Sequence, residues 1–110
     1  MTSFYEIDYK TFGDSFCNEE FTVNENLALA AIICLGRKGN YQVYRDLAKI
    51  LSNILLGDSV SIKFNSQSFS NILEKLKEKE LIDTCQHGIS ILVKRKLIVA
   101  VQKKYGKILF

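Results

Sequence analysis

From about residue 24 on, the dominant period of the apolar residues in this chain changes at Leu81. Before it, apolar positions recur every three or four residues, the spacing of helices; after it come short β-branched runs, the spacing of strands. In the first stretch, Thr22 stands three residues before Glu25, as in a capping box where each side chain satisfies the other's orphan amide. Leu27, Ala30, Ala31, Cys34 and Leu35 follow on one helical stripe, and Gly36 and Gly39 bracket Arg37 and Lys38, two cations suited to a helix C-terminus. A first helix is therefore expected over about residues 24–37. After a very short strand at 40–43, Tyr44, Leu47, Ala48, Leu51, Ile54 and Leu55 mark the face of a second helix ending at Gly57. Val60, Ile62 and Phe64 alternate strictly, which fits either a brief strand or an ordered loop. Ser66 is the expected N-cap of a third helix with Phe69, Ile72, Leu73, Leu76 and Leu81 on its buried side.

Beyond Leu81 a strand is expected at 82–86 and a turn at His87-Gly88. Two further strands, 89–93 and 97–101, flank Lys94, Arg95 and Lys96, and residues 108–110 close the sheet. The competing reading is a helix over 89–105 stopped by Gly106. The six β-branched residues between Ile89 and Val101 favour strands. The class is α+β: three helices and a C-terminal β-hairpin.

The chain has 110 residues, enough for one core. Its composition, 47% hydrophobic and 25% charged, is that of a folded domain rather than a disordered chain. Charge divides it in two. Residues 1–26 carry six acids against one base, and residues 27–110 carry fourteen bases against six acids, so an acidic leader precedes a basic body. Residues 1–23 read as an acidic extended arm whose aromatic residues, Phe4, Tyr5, Tyr9, Phe12, Phe16 and Phe21, need a surface, either on the domain at 24–110 or on a second copy. The basic body suggests a polyanionic partner.

Three helices followed by a strand pair resemble the winged-helix superfamily. Tyr44-Arg-Asp-Leu-Ala-Lys-Ile-Leu51 looks like its second helix. Residues 68–83, Ser-Phe-Ser-Asn-Ile-Leu-Glu-Lys-Leu-Lys-Glu-Lys-Glu-Leu-Ile-Asp, look like its recognition helix running into the first strand of the wing. Within the superfamily, the Tyr41/Tyr44 pair and the long connection before Ser66 are similar to the C-terminal winged domain of archaeal origin-recognition initiators; a small archaeal virus or plasmid regulator would share them. Two departures stand out. Glu80 occupies the place before Leu-Ile where the family usually has glycine, and the connection between the second and third helices is long.

The resemblance implies duplex DNA as partner, with the third helix in the major groove and the wing on phosphates. Gln67, Ser68, Asn71 and Lys75 are then the groove residues, since Gln and Asn match the donor–acceptor pair on adenine's edge. Lys94, Arg95 and Lys96 would crown the wing, with Lys103, Lys104 and Lys107 as a second basic cluster. A transcriptional regulator, dimeric through the N-terminal arm, is the expected function. A winged-helix protein-interaction module is the alternative, favoured by Glu74, Glu78 and Glu80 beside the third helix.

Catalysis, metal and cofactor are not expected. The one histidine, His87, sits in a turn, and Cys17, Cys34 and Cys85 have no zinc-ligand spacing. Three widely spaced cysteines also argue against a disulfide scaffold and for a reducing cytoplasm. The first residues lack a signal-peptide pattern, and the longest clean apolar run, Leu27 to Leu35, has nine residues, too few for a bilayer.

Overall fold

One helix is apolar on every side, and the other elements are arranged around it. The computed structural model describes residues 9–17, 19–36, 41–57 and 63–105. The central helix, α2 (Val23–Leu35), follows a four-residue helix, α1 (Asp14–Cys17). The Thr22 hydroxyl caps α2 by accepting the Glu25 N–H at 3.2 Å. Every residue from Glu25 to Ile33 is buried, so α2 has no solvent stripe and must be covered all round.

Two further helices pack directly on it, and a third helix and a small sheet share its core. Strand β1 (Gln42–Tyr44) runs directly into α3 (Arg45–Leu56). Then come α4 (Ser66–Glu78), β2 (Ile82–Cys85), β3 (Ser90–Val93) and α5 (Arg95–Tyr105). Helices α3 and α4 both pack on α2, while α5 packs against α1. The sheet is antiparallel in the order β1-β3-β2, with Val43 opposite Ile91 and Ile82 opposite Val93. These four residues are buried in the common core.

The expected β2, turn and β3 form as the pattern indicated. Residues 97–101 do not form a strand; they lie within α5. The reason is visible in the burial: Leu97 and Val101, four apart, are fully buried, whereas Val99 between them is half exposed. That is one face of a helix, and in a strand all three would share a side. Strand β3 is already paired on both edges, so β-propensity at 97–101 finds no open partner there. The proposed closing strand at 108–110 and the Gly106 stop lie outside the described residues.

The N-terminal segment is not an extended arm where it is described. Residues 9–17 turn and form α1, and Phe12 and Phe21 enter the core. Buried Asn26 of α2 holds this turn: its carboxamide oxygen accepts the Gly13 N–H and its Nδ2 donates to the Lys10 carbonyl at 2.9 Å. Gly13 is required by space, because a Cβ there would come within 2.9 Å of both Leu29 and Phe21. Phe4, Tyr5 and the other residues before Tyr9 lie outside the described part.

Helix α3 is rotated from its expected face. Ala48 and Ser52 are its buried residues, and Ser52 returns its hydroxyl to the Ala48 carbonyl at 2.7 Å. Two small residues one turn apart let α3 approach α2 closely, and Tyr44, Leu47, Ile50 and Ile54 are left facing outward.

Candidate nucleic-acid interface

Helix α4 owes its placement to both of its ends. At the N-terminus the cap is Asn65 rather than Ser66: Asn65 Oδ1 accepts the Ser68 N–H at 2.8 Å, and Ser68 Oγ accepts the Asn65 N–H at 2.9 Å. The chain entering this cap is pinned to α3 by Asn53, which accepts the Phe64 N–H at 2.8 Å and donates to the Phe64 carbonyl at 3.1 Å. Phe64 then meets Phe69 edge-on, centroids 5.8 Å apart.

At the C-terminus, the Leu81 N–H reaches back to the Leu76 carbonyl and the Glu80 N–H to that of Lys77. This is a Schellman closure, with buried Leu76 and Leu81 as its apolar pair. Glu80 takes φ +63°, so the position where the winged-helix pattern has glycine keeps the left-handed conformation with a glutamate in it.

Along the exposed face, Gln67 Nε2 donates to Asn71 Oδ1 at 3.0 Å, joining two amides one turn apart. Lys75 is well exposed and 4.0 Å from Glu78. Lys77 lies 3.8 Å from Glu74 and 3.9 Å from Asp83, so the second half of α4 is balanced in charge. Of the four expected groove residues, Gln67, Asn71 and Lys75 therefore share the open face. Ser68 is half-buried and committed to the cap. Beside the first turn, an open groove of about 370 Å³ is lined by Lys63, Ser68, Asn71 and Asn24 together with Phe64 and Ile72.

The hairpin tip lies at Gln86–Gly88, where Gln86 and His87 have φ of +54° and +58° and Gly88 +86°. Gln86 and Gln42 fasten this turn to the sheet through the buried Ser90 hydroxyl, at 2.9 and 3.2 Å. Arg45, not singled out in the sequence, joins three elements. Its N–H donates to the Ile89 carbonyl at 2.9 Å, and its guanidinium donates to Ser70 Oγ of α4 at 3.2 Å. An arginine directly after a strand and opening a helix is the only sequence cue to this role.

Lys94, Arg95 and Lys96 do not crown the hairpin. The Lys94 N–H donates to the Leu81 carbonyl at 3.1 Å, and Arg95 opens α5. The tripeptide is thus beside the C-terminal end of α4, roughly 15–20 Å along that helix from Gln67. Lys96 is engaged: its Nζ lies 2.9 Å from Glu19 and 2.8 Å from the Lys79 carbonyl. The Glu19 hydrogen bond holds its ammonium pKa above the usual lysine range. Lys94 and Arg95 stay exposed, as do Lys103 and Lys104 in the last turns of α5. Arg37, Lys38 and Lys107 lie outside the described residues.

Cys17, near Lys96 and Glu19, is half-buried, and burial aided by the Glu19 charge pushes its thiol up to about 11. It stays protonated at neutral pH and is a poor nucleophile. Among the described residues, no three His, Cys, Asp or Glu side chains gather to hold a metal, and no helix is long and apolar enough to cross a membrane. Comparison of the chain with family models, curated proteins and solved structures finds no match.

Proposed function

We propose that this is a winged-helix protein that binds duplex DNA through α4, acting as a regulator of transcription. The observation that carries the reading is the open Gln67–Asn71–Lys75 face of α4, beside a hairpin braced by Arg45, in a domain whose stretch from α2 to β3 runs helix, strand, helix, helix, strand, strand, with α1 before it and α5 after. In that arrangement α4 enters the major groove, and Gln67 and Asn71 present the paired donors and acceptors that base edges require. The hairpin tip, Gln86 to Gly88, carries no lysine or arginine, so it follows the backbone without gripping it. Phosphate contacts fall to Lys63, just before the cap of α4, and to Lys94 and Arg95 near its far end. Three free cysteines suit a reducing compartment.

The test is fluorescence anisotropy of a labelled random-sequence duplex at two salt concentrations. Binding in the range of about 1–100 μM that weakens with salt is expected for the sequence-independent component. Gln67→Ala with Asn71→Ala should flatten discrimination between duplexes selected for binding and random ones. Lys94→Ala with Arg95→Ala should weaken both alike and lower the salt slope by about 1–2. Absence of binding at low salt would refute the reading. The alternative is then a protein-docking module, which exposed Glu74 and Glu78 on the same helix favour because acids there oppose phosphate.

A further inference from the structure

The outward face of α3 is apolar where a solvated helix would be polar. Tyr44 is 62% exposed, Leu47 50%, Ile50 52% and Ile54 67%. Leu47, Ile50, Leu51 and Ile54 are spaced three, one and three residues apart, so they form one continuous stripe along about 10 Å of helix. Tyr44 continues it at the N-terminal end, next to Ile89, which is exposed at the hairpin and whose carbonyl accepts the Arg45 N–H.

We infer that this stripe pairs with the same stripe of a second copy, making the protein a two-fold dimer through α3. Area supports a specific contact: the exposed parts of Tyr44, Leu47, Ile50 and Ile54 add to roughly 500 Å², the range in which a monomer's largest patch is commonly functional. That is already more than half of the ~800 Å² that each side of a stable interface buries.

The pattern also matches itself. With two α3 helices antiparallel about an axis between Ile50 and Leu51, each copy's Leu47 faces the other's Ile54, and Ile50 faces Leu51. Each of these four apolar positions meets an apolar position, as an isologous contact requires. The rim offers no preference for a charged partner, since exposed Asp46 is offset by Lys49 three residues on. Nothing in this inference depends on α4 binding DNA.

Sedimentation velocity of the full chain over about 1–100 μM tests it, a span that brackets the affinity of a modest interface. The wild type is expected to approach twice 12.5 kDa as concentration rises. Ile50→Glu with Ile54→Glu should raise the dimer dissociation constant on the order of 100-fold, because carboxylates would be buried unpaired. Val99→Glu, at an exposed apolar position on α5, should leave it unchanged. Far-UV circular dichroism confirms that each variant is folded, and Leu47→Lys stands in if the double variant is not. A wild type monomeric at the highest concentration would overturn the proposal and assign the stripe to a different protein. So would a folded stripe variant as dimeric as the wild type.

Discussion

Glu80 carries an unfavourable backbone geometry for the sake of its neighbours. Its φ of +63° crowds Cβ against the backbone, and a side chain in the left-handed region costs about 1–2 kcal/mol. The Schellman closure holds it there because Leu76 and Leu81 are both buried on either side of the turn. Glycine would relieve that strain while giving the unfolded chain more freedom. Glu80→Gly should therefore stabilise the protein by about 0.5–1 kcal/mol, raising the midpoint of thermal unfolding by several degrees. Differential scanning calorimetry reads the shift directly. An unchanged or lower midpoint would mean that the attraction between Glu80 and Lys96 outweighs the strain. Ser68 illustrates the same point in reverse. Its type and position suited a base contact, but the nearer use, closing the cap with Asn65, claims both its hydroxyl and its amide.

Among the elements, α5 and α3 departed most from their patterns. Residues 97–101 are rich in β-branched side chains, yet they form a helix, in which Leu97 and Val101 are buried while Val99 between them stays half exposed, a pattern that a strand cannot give. Point variants separate the two geometries. Leu97→Ala should cost about 2–5 kcal/mol, as for a fully buried leucine, and Val99→Asp less than about 1 kcal/mol at its exposed site. Urea unfolding measures both, and comparable losses at the two positions would indicate a strand face. In α3 the apolar residues outnumber what one buried face can hold. Ala48 and Ser52 win the interior because they admit the closest approach to α2, and the larger residues are turned outward, where a second copy can cover them.

For the whole molecule, the described residues of the acidic leader are part of the domain and not an appendage to it. Phe12 and Phe21 fill core positions, Asn26 holds the turn around Gly13, and Lys79 lies 4.9 Å from the centre of the Phe21 ring. Glu19 pairs with Lys96 across the molecule at 2.9 Å, so part of the leader's charge is spent on the body's own basic cluster. Removing residues 1–22 deletes two buried phenylalanines, each worth about 3–5 kcal/mol. Their sum is comparable to the entire stability of a small domain, about 5–15 kcal/mol. The truncated chain should lose its cooperative unfolding transition and its dispersed amide spectrum. A truncated chain that unfolds cooperatively near the wild-type midpoint would show the leader to be dispensable.

The α+β class, the three long helices before Leu81, and the β2 turn and β3 that follow were legible in the sequence, because local periodicity and turn residues act within a few positions of one another. The Thr22 cap and the open Gln67–Asn71–Lys75 face were legible for the same reason. The sequence left open whether residues 97–101 form a strand or a helix, and hidden from it were the face that α3 presents, the entry of Phe12 and Phe21 into the core, and the distance of Lys94, Arg95 and Lys96 from the hairpin tip. Each depends on which distant surface remains to be covered once α2 is buried on all sides, and that competition among partners is decided only when the chain packs.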